Sequence, residues 1–389
     1  MAEAATEPAW LEERRREGAS RAEGLDLPGP KAKGWEFTDL SGLDFEAFTE
    51  ASAMVEGLDA TDGTGGPIIM PLAEAAETHA DLVREHLGTI VPADDVFTAR
   101  NEARWRNGVF VRVPAGERLA EPLKLAIHGS ADDAIEWRAL IVLEDGAEAE
   151  VWERYLSDGD GLFNGVVEIV LGDGANLRYV CEQELSEDAW VFATQRADVG
   201  RDANLDWVAL GFGSARGKVR METKLAGRGS SAKVTGATAG LGNQHLDYDT
   251  TQEHAAPDTV SDLAFRGVLS ESATAVWRGM IRVDPEAQRT DAFQESRNLL
   301  LSDRAHADAI PGLEIEADDV RCTHAAAVAQ VDAEQLYYLR SRGLAEADAK
   351  KLVIDGFLQE LVQRMAEGPI REALAGSLER RLSQLLAAQ

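Results

Sequence analysis

A turn that returns every 28 residues constrains this chain more than any other feature of its sequence. Asp145-Gly146-Ala147 recurs as Asp173-Gly174-Ala175 and as Arg201-Asp202-Ala203, and Gly229-Ser230-Ser231, Pro257-Asp258-Thr259 and Pro285-Glu286-Ala287 fall at the same phase. The turn centres are positions 146, 174, 202, 230, 258 and 286. Alternating apolar residues follow the first turns (Ala149 and Val151, Leu177 and Tyr179, Leu205 and Trp207), and a second alternating set precedes most of them, as in Val167, Ile169 and Leu171. Alternation with period two buries one face of a strand. Two strands and a turn per period make one coil of a stacked solenoid, whose apolar side only the next coil can cover. A propeller blade needs four strands and about 40–45 residues, and parallel strands joined by helices need helical patterns that this stretch lacks. The expected fold is mainly β: a parallel β-helix (solenoid) core over residues 96–331, between a helical N-terminal region (1–95) and a helical C-terminal region (332–389).

The flanks carry helical periods. Trp10 to Arg16 opens a charged helix that Pro28-Gly29-Pro30 ends, and Gly34-Trp35-Glu36-Phe37-Thr38-Asp39-Leu40 reads as an aromatic anchor tying this arm to the core. Asp59 to Pro67 reads as a surface loop, and Pro71 to Leu87 as a helix bearing His79 and His86. The period is expected to change to strand from about Val96. After residue 331 it returns to helix: Glu334 to Arg342, closed by Gly343, then Glu346 to Met365 with an apolar stripe of Ile354, Leu358, Leu361 and Met365, then a final helix from Pro369. Such helices could cap the solenoid's open edge, pack on one another, or dock a partner, and periodicity does not choose among these.

Composition narrows the function. The formal net charge of −30 speaks against nucleic-acid or anionic-membrane binding through a diffuse positive field. The two cysteines, Cys181 and Cys322, form no disulfide framework, which points to a reducing compartment and a cytoplasmic location. Met1 to Trp10 is acidic and lacks an apolar core, so it does not read as a signal peptide, and no stretch approaches the ~20 apolar residues that span a bilayer.

The chemistry concentrates in Asp318-Asp319-Val320-Arg321-Cys322-Thr323-His324. With Leu313-Glu314-Ile315-Glu316 before it, the run alternates and reads as one extended strand, with Cys322 and His324 on one face and Val320 and Asp318 further along it. A thiolate beside an imidazole is a ligand pair suited to iron or zinc. A closed site needs about four ligands, so the rest would come from another chain, from sulfide or from distant residues. The other reading is a small buried thiol beside a hydrogen-bonded histidine.

Asp291-Ala292-Phe293-Gln294, Arg297 to Ser302, Pro311 to Ile315, Asp318 to His324 and Tyr338 to Gly343 together resemble the SufB/SufD family of the SUF iron–sulfur cluster assembly system, densely from about His254 to Phe357 and again at Trp35 to Thr38. Within that family the chain is more similar to the SufD type. SufB-type sequences have Glu-His-Glu-Ala where this chain has Thr323-His324-Ala325-Ala326, and an assembly cysteine where it has Ser296 to Ser302. The chain departs from the SufD-type pattern at Ala325, Ala327 and Ala329, where glycine, threonine and glycine are usual.

The resemblance implies a non-catalytic scaffold subunit. It would meet a SufB-like subunit through the β-helix and a SufC-like ATPase through the C-terminal helices. No cofactor would be bound stably; iron or an iron–sulfur cluster would be held transiently with the partner subunit. His324 would assist at that interface as a possible iron ligand, with Cys322 as a helper. Tyr338, Arg342, Ile354, Phe357, Leu358 and Leu361 would contribute to ATPase docking. ATP hydrolysis would belong to the partner, because this chain has no Gly-x-x-x-x-Gly-Lys-Ser/Thr loop. A SufB-like cluster-carrying subunit and a β-helix carbohydrate-active enzyme are the alternatives.

Overall fold

Each period folds as one coil because its corner needs a residue in the left-handed region. Gly146 (φ 68°), Gly174 (φ 69°), Asp202 (φ 54°), Gly229 (φ 75°), Asp258 (φ 62°) and Arg289 (φ 62°) take that conformation, which glycine and aspartate reach at least cost. The expected centres at 146, 174, 202 and 258 coincide with these corners. The fourth corner lies one residue earlier than expected and the last three later, because the final coils are longer: Val260 pairs with Asp291.

A computed structural model of the chain describes residues 7–365 and 368–387. In chain order its elements begin with α1 (Ala9–Glu23), β1 (Thr49–Ala51), β2 (Met54–Glu56), β3 (Thr61–Asp62), β4 (Ile68–Pro71), α2 (Leu72–Thr78), α3 (Ala80–His86) and α4 (Val96–Arg104). The solenoid strands are β5 (Asn107–Val113), β6 (Leu123–Gly129), β7 (Asp133–Leu143), β8 (Glu148–Ser157), β9 (Leu162–Leu171), β10 (Asn176–Glu184), β11 (Trp190–Val199) and β12 (Asn204–Gly211). They continue as β13 (Arg216–Leu225), β14 (Ser231–Gly240), β15 (His245–His254), β16 (Val260–Leu269), β17 (Thr274–Val283), β18 (Thr290–Leu300), β19 (His306–Ile315) and β20 (Val320–Gln330). Then come α5 (Ala333–Ser341), α6 (Glu346–Arg364) and α7 (Pro369–Ala387).

Odd-numbered strands from β5 to β19 stack in parallel as one sheet, and even-numbered strands from β6 to β20 as the other, in about eight coils. This is the expected parallel β-helix. In-register columns of side chains fill the space between the sheets, such as Val151, Tyr179, Trp207, Val234 and Leu263 from one and Ile141, Ile169 and Ala197 from the other. Not all of this interior is apolar. His254 is fully buried, with Nδ1 2.8 Å from the Thr259 hydroxyl and Nε2 2.9 Å from that of Ser261, and burial lowers its pKa to about 4. A histidine held below its free value of about 6.5 supports the fold fully above that pH and loses its contribution as pH falls toward 4. About 3 kcal/mol of stability is expected to vanish over that window. Urea midpoints at pH 7 and pH 4.5, compared between wild type and His254→Gln, should show a smaller acid loss in the variant.

The N-terminal region lies on the outer face of the odd-numbered sheet, with α2 and α4 over β5, β7 and β9 and the segment around Trp35–Thr38 reaching along it to β11 and β15. Gly18 lets α1 approach α4 closely, since a Cβ there would sit 2.9 Å from the Ala103 nitrogen. Trp35 stacks on Phe97 (5.2 Å) and Phe97 on Phe192 (3.9 Å), while Thr38 donates to Asp247 at 2.5 Å, so the aromatic segment is the anchor expected of it. Three local expectations are corrected. Val96–Arg104 is a helix, capped by Asp95 accepting from the Phe97 and Thr98 amides, and strand begins at Asn107. The helix expected over Pro71 to Leu87 is two helices, broken at His79 (φ −127°, ψ 39°). Part of the loop over Asp59 to Pro67 pairs as β3 with β4.

The C-terminal helices do not cap the solenoid. Ile354, Leu358, Leu361, Leu374, Leu378 and Leu382 of α6 and α7 bury their stripe against Val180, Val208, Leu210, Ala237 and Ala264, on the outer face of the even-numbered sheet. Arg381 of α7 fixes this seat by donating to the Ala239 carbonyl (3.1 Å) and to Gln244 (2.6 Å).

Candidate functional site

With the helices on its flank, the solenoid ends in bare strands. β19 pairs only with β17 and β20 only with β18, so their outer edges present unpaired backbone groups among the described residues. Such an edge invites another strand or a covering surface. Its side chains also invite one. Leu313 and Ile315 stack on core residues Ile281 and Val283, and Val328 on Asn298, yet they are 37%, 40% and 43% exposed. These residues face the solenoid interior but have no further coil above them. Sequence reasoning missed them, although the signal was present: the strand pattern runs to Val331 and helical periodicity, not another coil, follows.

Cys322 and His324 lie on this last strand. The register places Cys322 over buried Ala292 and His324 over buried Gln294, so both stand on the interior-facing side of β20. The run leading to them is not one strand. β19 ends at Ile315, the chain turns through residues 316–319, and β20 starts at Val320 in the opposite sheet. Asp318 therefore sits in the corner and not on the Cys322–His324 face.

The two side chains differ in environment. His324 is exposed, whereas Cys322 is half-buried beside Val320 and Ala292. Burial, reinforced by the charge of Asp291, pushes the Cys322 thiol up, which disfavours the thiolate that binds metal and sulfur. Beneath His324, the Gln294 amide spans the interior and donates to the carbonyls of Gly279 (3.3 Å) and Gly312 (3.0 Å), giving the imidazole a fixed floor. Among the described residues no cluster of three or more His, Cys, Asp or Glu side chains is placed to hold a metal ion. The pair remains two ligands at an open edge. Cys181 is buried in the solenoid, where burial pushes its thiol up to about 12, and it takes no part in this edge.

The residues expected to dock an ATPase divide. Ile354, Leu358 and Leu361 are 0%, 6% and 1% exposed, buried against this chain's own β-helix, and Phe357 is half-buried beside Arg266. An amphipathic stripe records only that something covers it, and here the cover is intramolecular. Tyr338 and Arg342 are exposed and in contact, with the guanidinium 5.1 Å from the ring centroid. Tyr337, Leu344 and Leu352 beside them are also exposed, and α5 buries no residue.

The comparisons agree with this architecture. The family model for the SUF system FeS cluster assembly SufBD core domain matches residues 126–357. The iron-sulfur cluster assembly protein SufD of Bacillus subtilis is 32% identical, across 97% of this chain and 95% of that protein. A SufBD family protein of Mycobacterium bovis is 30% identical across 92% of this chain and 90% of its own, and one from Synechocystis is 26% identical across 95% and 92%. No helix among the described residues is long and apolar enough to cross a membrane. On its strand periodicity, its two-sheet solenoid and these matches, the chain belongs to the SufBD family of iron–sulfur cluster assembly proteins.

Proposed function

We propose that this chain is a SufD-type, non-catalytic subunit of a cluster-assembly scaffold. Its bare β19–β20 end joins a SufB-like subunit, and iron and sulfide gather across that junction. The observation that carries the reading is the uncapped solenoid end, where an exposed imidazole stands among apolar side chains. A neutral imidazole binds iron. A site with one or two ligands from each subunit is incomplete in either alone and releases its product more readily than a closed four-ligand site. On this reading His324 is the ligand. Cys322, with its thiol pushed up, is a weaker helper that gains thiolate character only if a partner cation or iron arrives. An ATPase of the SufC type meets the exposed segment around Tyr338 and Arg342, not the buried stripe of α6, and its hydrolysis drives rearrangement of the junction. The location is the cytoplasm.

In a reconstituted complex of this chain with SufB-like and SufC-like partners, His324→Ala is expected to leave assembly intact and to lower bound iron and sulfide at least severalfold. Cys322→Ala should have the smaller effect. Cluster yield from the His324 variant equal to wild type would remove the imidazole from the reaction.

A further inference from the structure

A cavity of about 500 Å³ opens on the other side of the molecule from the strand ends, between the flank of α7 and the outer face of β6, β8 and β10. Its floor includes Lys124, Trp152 and Arg154, and its roof is the Gly376 and Arg380 side of α7. The charges here break the pattern of the surrounding sheet. Along the same face Arg154, Arg178 and Arg266 are each held by carboxylates; Arg154 donates to Glu182 at 2.9 Å and to Glu184 at 2.5 Å. Lys124 and Arg380 are not. Among the described residues neither lies within ion-pair distance of a carboxylate: Arg380 donates only to the Ser377 hydroxyl at 2.8 Å, and Lys124 lies 5.9 Å from the Trp152 ring centroid. Glu56 lines the rim and is engaged only at 4.0 Å, by His128.

Two cations without a direct ion pair converging on one cavity are unusual in a chain of formal charge −30. Glu182, which also lines the cavity, takes its direct ion pair from Arg154 and acts on Arg380 only at longer range. The cavity also has an apolar component: Leu125, Ala126, Trp152 and Ala373 line it. Trp152 is 5% exposed, and among the described residues its indole Nε1 has no hydrogen-bond partner. Concave, largely apolar walls with a few convergent polar groups are the form of small-ligand sites. Gly376 keeps the roof open, since a Cβ there would meet nothing nearer than an Arg380 nitrogen at 3.6 Å.

We propose that this cavity binds a small amphipathic anion, a flat apolar ring bearing a carboxylate, sulfonate or phosphate. The ring packs over Ala126, Trp152 and Ala373, and the acid group lies between Lys124 and Arg380. The site is independent of the cluster junction, so it stands or falls separately from the function proposed above.

The test uses the aromatic sulfonate 8-anilinonaphthalene-1-sulfonate, titrated into the full chain and followed by its fluorescence. One saturable class of site that survives Leu313→Asp, Val328→Asp is expected. The Lys124→Glu, Arg380→Glu double variant should weaken it at least tenfold, and Gly376→Phe, which fills the cavity and suits a helix better than glycine, should abolish it without lowering the melting temperature. A Leu313→Asp, Val328→Asp variant distinguishes the bare solenoid end, which also attracts this dye. Absence of saturable binding, equal affinity in the charge-reversed variant, or loss of signal only in the solenoid-end variant would each overturn the proposal.

Discussion

Leu313→Asp combined with Val328→Asp is expected to weaken association with a SufB-like subunit at least a hundredfold while leaving this chain folded. The two side chains are 37% and 43% exposed at the solenoid end, so the isolated chain loses little when they become charged. Burial of a valine or leucine side chain in an interface contributes about 1.5–3 kcal/mol. Aspartates in their place would also have to be desolvated without a partner charge, at a further cost of several kcal/mol. A combined change above about 3 kcal/mol corresponds to more than a hundredfold in the dissociation constant. Sedimentation of the mixed subunits checks this, with circular dichroism and a melting curve as the control for folding. Retention of wild-type affinity would mean that the junction lies elsewhere.

The second large effect concerns what holds the N-terminal region on the solenoid. Arg138→Met is expected to destabilise the chain by about 3–5 kcal/mol. Arg138 is 1% exposed on the outer face of β7; it donates to Glu102 of α4 at 2.6 Å and to Glu168 of β9 at 2.7 Å. Arg14 of α1 reaches Glu102 at 2.6 Å, and the Gly88 amide donates to Glu168 at 2.9 Å. Burial opposes ionisation of Glu102, but the guanidiniums of Arg138 and Arg14 outweigh it and hold its carboxyl below the usual range. Without Arg138, Glu168 keeps its carboxylate with only backbone donors, 0% exposed. Methionine replaces the packing of the arginine stem and not its charge, so the variant reports the uncompensated carboxylates. Urea unfolding measures the loss; a change below about 1 kcal/mol would mean that the network is not needed to seat the arm.

The fold was legible where one residue type does one physical task. A coil's corner needs a left-handed residue, glycine and aspartate supply it, and the phase can be counted along the chain. It blurred where the corner is Arg289, which no turn rule favours. The helix at Val96–Arg104 was hidden because Val96, Phe97 and Thr98 favour strands, although Asp95 and Thr98 spell a helix start. The Cys322–His324 face was legible from spacing two. The break between β19 and β20 leaves one signal that a single-strand reading passes over: the apolar phase shifts from odd positions (Leu313, Ile315, Ala317) to even ones (Val320, Cys322) across Asp318-Asp319. The stripe of Ile354, Leu358 and Leu361 marked a buried helix face correctly, but periodicity carries no information about which surface buries it.

The central claim is that the β19–β20 end is a junction with a second subunit. Hydrogen–deuterium exchange of this chain, alone and mixed with a SufB-like subunit, addresses it most directly. The account predicts that amides of Val320–Gln330 and His306–Ile315 that exchange rapidly in the isolated chain become protected in the mixture. Formation of a stable complex in which those amides still exchange rapidly, with protection on another face, would contradict it.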